Sequence, residues 1–174
     1  MQAAGLAHAG FSVASLLLGV GVFRLAKGTE LHRVVGVAYV LSLFAVNVTA
    51  LTIYRIFGRF GVFHALSVVN LAILLAGFGA AFLKRPRGAW LQYHYYFMGW
   101  SYVGLCAAAG AELAVRIPGV SFLAGVLVPT VVITVLGGAR VQVSRRQTLA
   151  RIGRARSLAT GGPGEQGPSR DRDG

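Results

Sequence analysis

Apolar residues in this chain come in long, nearly unbroken runs, not at the alternating spacing of a half-buried strand. Five runs, at about 9–26, 34–57, 62–83, 91–115 and 119–139, are near or above the roughly 20 residues a helix needs to cross a bilayer. Backbone groups in lipid must satisfy one another, so such runs predict helices. A membrane β-barrel would show a period of two, which these runs lack. The pattern therefore predicts an all-α membrane protein with five transmembrane helices in residues 1–140. Residues 141–174 are expected to form a basic, largely disordered tail. Polar, Gly- or Pro-containing stretches separate the runs: AKGTELH after the first, RIFGRFG after the second and KRPRG after the third.

Composition narrows the class. Of 174 residues, 55% are hydrophobic and only 13% charged, too little polar surface to cover a soluble core of this size. The first run follows MQAAGLAHAG, which has no positive n-region, so it is read as a retained span rather than a cleavable signal. One cysteine, Cys106, allows no intrachain disulfide and is expected to pack as a small apolar side chain. The net charge of +12 would suit a nucleic-acid partner, but the placement of the charges argues against one. Arg24, Lys27, Arg33, Lys84, Arg85, Arg87, Arg140, Arg145, Arg146, Arg151, Arg154, Arg156, Arg170 and Arg172 fall on one membrane side, and only Arg55, Arg59 and Arg116 on the other. The positive-inside rule then predicts an outside N-terminus and a cytoplasmic C-terminus. The partners expected are the lipid bilayer, anionic lipid for the basic tail, and a second copy or a redox protein.

The two halves of the chain share a plan. HAGFSVASLLLGVGVFRLAK, from His8, and HALSVVNLAILLAGFGAAFLK, from His64, both open on His-Ala, carry Gly-x-Gly and end in lysine. Each leads through a basic turn to a second histidine, His32 or His94. Residues 6–57 and 62–116 thus read as repeated helical hairpins, with 119–139 as a fifth helix. In an up-down four-helix bundle the first and third helices are diagonal, as are the second and fourth. A pseudo-two-fold axis would set His8 against His64 near the outside and His32 against His94 near the cytoplasm, the two levels about 28 Å apart by helix rise.

Diagonal histidines can supply two axial imidazoles to a haem iron, and low-spin six-coordinate haem suits electron transfer. His8 with His64 and His32 with His94 are therefore candidate cofactor-binding residues for two b-type haems. CxxCH is absent, so covalent attachment is not expected. Arg33, Lys27 and Arg87 would face haem propionates. Two other readings remain open. One is a transporter or metal-binding membrane protein using Asn47, Asn70 and Glu112 with the histidines. The other is a structural or assembly subunit whose histidines are interfacial. Smaller features carry structural expectations. Ser12, Ser15 and Gly19 form a small-residue stripe for close helix packing. Asn47 is read as interhelical glue, and Glu112 as a one-turn partner of Arg116. His94, Met98, Ser101, Leu105, Ala108 and Glu112 form one seam. The fifth run is read as a packing or oligomer face, 141–158 as a basic surface helix, and 159–174 as disordered.

KGTELHRVVGVAY (27–39), GVFHALSVVNL (61–71) and HYYFMGWSYVGL (94–105), with the leading His8, resemble the prokaryotic membrane proteins of domain of unknown function 2306, over about residues 6–118. The resemblance implies a multi-pass protein of a bacterial inner membrane and no particular activity. The layout is also similar, by analogy of architecture, to two-haem b-type membrane cytochromes, which implies a transmembrane redox component. Those cytochromes set their ligands deeper in the helices than His32 and His94 lie here.

Overall fold

The computed structural model describes residues 3–54 and 58–159, with backbone alone for 149 and 151–159. Those residues form five α-helices and no strand: α1 Ala3–Arg24, α2 Glu30–Ala50, α3 Val62–Leu83, α4 Trp90–Ala114 and α5 Phe122–Ala159. Three full helices, α1, α2 and α3, and the Phe122–Thr148 part of α5 are long and apolar enough to cross a membrane. Large side chains on their outer faces, such as Leu17, Leu41, Phe82, Leu127 and Leu136, are exposed. An apolar exterior of this extent is a lipid-facing surface.

α4 is the exception, and its position explains why. It falls short of the same apolar standard, and its first turns, WLQYHYYF, are aromatic and polar. It is also the helix that packs on α3, on α5 and on α1, and it buries Met98, Gly99, Ser101, Val103, Leu105, Ala107 and Ala111. A helix shielded by neighbours on several sides needs less apolar surface than one facing lipid.

Helix pairs run antiparallel in steady register. α1 and α2 meet at Ser15–Ser42, a buried hydrogen bond of 2.9 Å, and at His8–Thr49. α3 and α4 approach at Gly77, where an added Cβ would lie 3.0 Å from the Met98 backbone nitrogen. α5 lies along all of α4: Gly125 abuts the Val115 backbone, Gly137 abuts Val103 and Gly99 abuts Val141. Small residues at these crossings let backbones approach where burial from water gives no help. The expected stripe on α1 works this way at Gly19, whose α-carbon faces the Tyr102 ring. The central core is Tyr39, Leu43, Leu74, Met98 and Leu105.

Turns follow their sequence signals. Gly28 takes φ +85° between α1 and α2. Thr29 then caps α2, its hydroxyl oxygen accepting from the His32 backbone N–H. α5 continues without a break past Arg140 to Ala159. The segment expected as a separate surface helix is therefore the far end of the fifth helix. The expected disorder of 160–174 lies outside the described residues, as do Arg55 and the side chains of Arg151, Arg154 and Arg156.

Candidate functional site

Polar side chains collect at the two ends of the helices, joined by a thin polar thread through the middle. One end carries the basic turns and is called the basic end below.

At the basic end, His94 sits one turn into α4. The close approach of α3 at Gly77 lets its Nδ1 reach the Gly77 carbonyl at 2.9 Å. A carbonyl only accepts, so Nδ1 carries the proton and donates. Nε2 is left as the unprotonated nitrogen. His32, at the third position of α2, lies within electrostatic reach of both His94 and Lys27, with its ring near the Val22 carbonyl. Its Nδ1 is buried without a hydrogen-bond partner. Lys27 turns back on α1, donating to the carbonyls of Val22 at 2.7 Å and Phe23 at 2.9 Å while resting over the Phe23 ring. This caps the C-terminal carbonyls of α1. Burial lowers the Lys27 pKa, because the charged form is the one desolvated. Lys27 is thus committed to α1 by its hydrogen bonds; Arg33 and Arg87 are exposed.

The opposite end is built differently. His8 Nδ1 faces two oxygens, the Val46 carbonyl at 3.2 Å and Thr49 Oγ1 at 3.0 Å, and its Nε2 lies 4.0 Å from Glu112 Oε2. Glu112 in turn accepts from Arg116 at 2.7 Å, the one-turn pair the spacing predicted. The result is a chain of polar contacts from α2 through α1 to α4. His64, only 5% exposed, occupies the third position of α3. Its Nδ1 accepts the Gly61 backbone N–H at 3.1 Å, the reach-back half of a capping box. A backbone N–H only donates, so the His64 proton is on Nε2, and that atom is buried without a partner. Tyr54 stacks on the ring at 4.6 Å and Phe60 lies 5.2 Å away.

Between the ends, Tyr39 and Ser101 share a buried hydrogen bond of 3.0 Å that ties α2 to α4. Tyr102 donates to the Leu16 carbonyl of α1 at 3.1 Å. Asn47, read from sequence as interhelical glue, instead donates to Leu43 of its own helix at 2.8 Å. Asn70 Oδ1 faces Gly104 of α4 and is buried without a hydrogen-bond partner. Cys106 is half-buried and unpaired.

The histidines thus divide by end, as their spacing predicted. His32 and His94 lie within electrostatic reach of each other, while the polar partners of His8 and of His64 are separate sets. Among the described residues no cluster of three or more His, Cys, Asp or Glu could hold a metal ion. Sequence reasoning missed the Gly77 carbonyl as a partner of His94 and the Tyr54–His64 stack. The first was half-visible in the Gly77/Gly79 pair, since glycine marks close backbone approach. The second had no signal, because Tyr54 sits beyond the end of α2.

A family model, DUF2306, described as predicted membrane protein, matches residues 5–143, which takes in α1 to α4 and the apolar half of α5. No curated protein and no solved structure matches the chain.

Proposed function

The chain belongs to that family of predicted membrane proteins, and on this premise we propose that it is a multi-pass electron-transfer protein holding one b-type haem at its basic end, between His32 and His94. All five helices cross the membrane in this reading. α1 to α4 form an up-down bundle and α5 lies against α4. The basic end faces the cytoplasm of a bacterial cell.

One observation carries the reading. His94 donates its Nδ1 proton to the Gly77 carbonyl, which leaves Nε2 unprotonated, and it lies within electrostatic reach of His32, whose buried Nδ1 has no partner. A metal-binding histidine typically donates from its second nitrogen to a backbone carbonyl or carboxylate, as His94 does. The ligand count favours haem over a bare ion. A zinc site needs three or four protein ligands, and haem iron needs two because the macrocycle supplies the rest. Gly36, one turn after His32, has open space where a Cβ would be. The exposed Arg33, next to His32 in sequence, is a candidate for a propionate. When bound, the haem would supply a one-electron couple. His32 and His94 are the residues that would hold it.

The opposite end supports a structural role. An imidazole that ligates through Nε2 keeps its proton on Nδ1, but the His64 Nδ1 is already an acceptor. His8 turns both nitrogens to oxygen atoms. The proposal therefore takes up one of the two expected haem sites.

Absorbance of the full chain, purified in detergent after expression with ample haem, tests this. The expected result is a Soret band with the sharp reduced α-band of a low-spin six-coordinate haem, at one haem per chain. A colourless protein that also fails to take up added haemin would end the proposal.

A further inference from the structure

A second site lies where α5 leaves the apolar layer, and it does not depend on the haem reading. Ala89, Gln92, Tyr93 and Tyr96 of the α4 start and Gln142 and Arg145 of α5 line a cleft of about 310 Å3. That is at the lower end of the roughly 300–1,000 Å3 typical of small-molecule pockets. Arg145 is pre-positioned in it. Its guanidinium carbon lies 5.6 Å from the Tyr96 ring centre, and its Nη2 reaches Gln92 Oε1 at 3.5 Å. Its Nε is buried without a partner. A buried, unpaired donor on a fixed positive charge is costly unless something accepts from it.

The lining settles the kind of acceptor. It has no carboxylate, two amides, two phenols and one guanidinium, a set that donates to an anion. Guanidinium forks match phosphate oxygens in geometry. Exposed Lys84, Arg85, Arg87, Arg140 and Arg146 lie on the same end and add positive field. Level identifies the source. Arg145 falls three residues before the end of the apolar Phe122–Thr148 segment, and tyrosines flank it, as at a membrane interface. The exposed Leu136 of α5 lies toward the hydrocarbon, where acyl chains would run. We infer that the α4–α5 cleft binds the phosphate-bearing headgroup of an anionic lipid. Basic pockets between helices on the basic side of a membrane protein recognise such headgroups in general.

Native mass spectrometry of the full chain in detergent tests this, with phosphatidylglycerol, phosphatidylcholine and inorganic phosphate as probes. Phosphatidylglycerol adducts should exceed phosphatidylcholine adducts. Arg145→Gln should cut phosphatidylglycerol binding by about tenfold, the effect of one charge-assisted hydrogen bond. Arg146→Gln, which removes an exposed charge one position along, should change it less than about twofold. Arg145→Lys keeps the charge without the fork and should recover only part of the binding. Equal binding of the two lipids would overturn the proposal. So would equal effects of Arg145→Gln and Arg146→Gln, which would mark diffuse attraction. Inorganic phosphate competing at the same concentration as lipid would mark a free-anion site instead. Each variant's unbound charge-state distribution reports that it is folded.

Discussion

The two ends of the bundle carry the same number of histidines, and two of these, His32 and His64, stand at the same third position of their helices. Their chemistry diverges because of what the second ring nitrogen meets. At His64 the helix begins on Gly61, which has no side chain to cap with, and the imidazole takes over that task by accepting the Gly61 N–H. At His32 the helix begins on Thr29, whose hydroxyl already serves the cap. The ring is released from capping, and its Nδ1 is left bare inside the protein. One residue at the N-cap thus separates a histidine spent on its own helix from one available to something else. A histidine's position in its helix therefore says less about its role than its local hydrogen-bond accounting does.

The sharpest way to break this comparison is to remove the histidines one at a time and read the haem spectrum. His94→Ala or His32→Ala should abolish the six-coordinate signature, because each removes an axial ligand. His8→Ala and His64→Gln should leave it in place at full stoichiometry. Loss in the second pair and survival in the first would invert the assignment of the ends.

A smaller effect is expected from the contact that orients His94. Gly77→Ala sets a methyl group 3.0 Å from the Met98 backbone nitrogen and from Met98 Sδ and the Phe97 Cβ. A backbone atom within a helix cannot step aside alone, so α3 and α4 must separate, at a cost of about 1–3 kcal/mol. The same shift draws the Gly77 carbonyl from His94 and should change the absorbance maximum. Gly104→Ala, further toward the opposite end, meets the Asn70 side chain, which can rotate. It should cost less and leave the spectrum unchanged. Unfolding midpoints in detergent and absorbance spectra of the two variants measure both differences.

These contrasts also mark what the sequence could carry. The helices were legible because lipid demands long apolar runs, and no soluble fold competes for that pattern. The histidines' division between ends was legible from helix length and from the basic turns. The hydrogen-bond partners of the individual rings were not. The expectation that His8 and His64 pair rested on matching segments. Yet His64 is held by Gly61 and by an aromatic stack that includes Tyr54, and His8 is held by Thr49 and the Val46 carbonyl of α2. Ring orientation depends on which backbone groups lack partners, and that emerges only when helix ends are placed. α5 was underread for a related reason. Basic residues after Arg140 resembled a tail, but a helix already formed in lipid extends easily through residues of good helix propensity such as Ala, Arg, Gln and Leu.

Two smaller predictions concern the opposite end and separate structure from chemistry there. His64→Gln keeps a side chain able to reach back to the Gly61 N–H, the role Gln plays in a capping box. It should lose little stability, whereas His64→Ala should cost about 1 kcal/mol for the lost cap, read as a shift in the detergent unfolding midpoint. Equal losses would mean that ring stacking on Tyr54 and Phe60, not the cap, is what His64 supplies. The smallest effect belongs to Glu112. Its carboxylate is 43% exposed and its Arg116 partner 64% exposed, and exposed pairs one turn apart on a helix contribute only about 0.3–0.5 kcal/mol. Glu112→Gln should therefore lower stability by no more than that, and added salt should shrink the difference further. A carboxylate handling protons would behave otherwise, with its neutral form abolishing function at unchanged stability. Measuring unfolding midpoint and electron-transfer rate on the one variant separates these outcomes. Small changes in both would leave the His8–Glu112–Arg116 chain as a clasp holding α1, α2 and α4 together, at the end of the bundle where the histidines already have their partners.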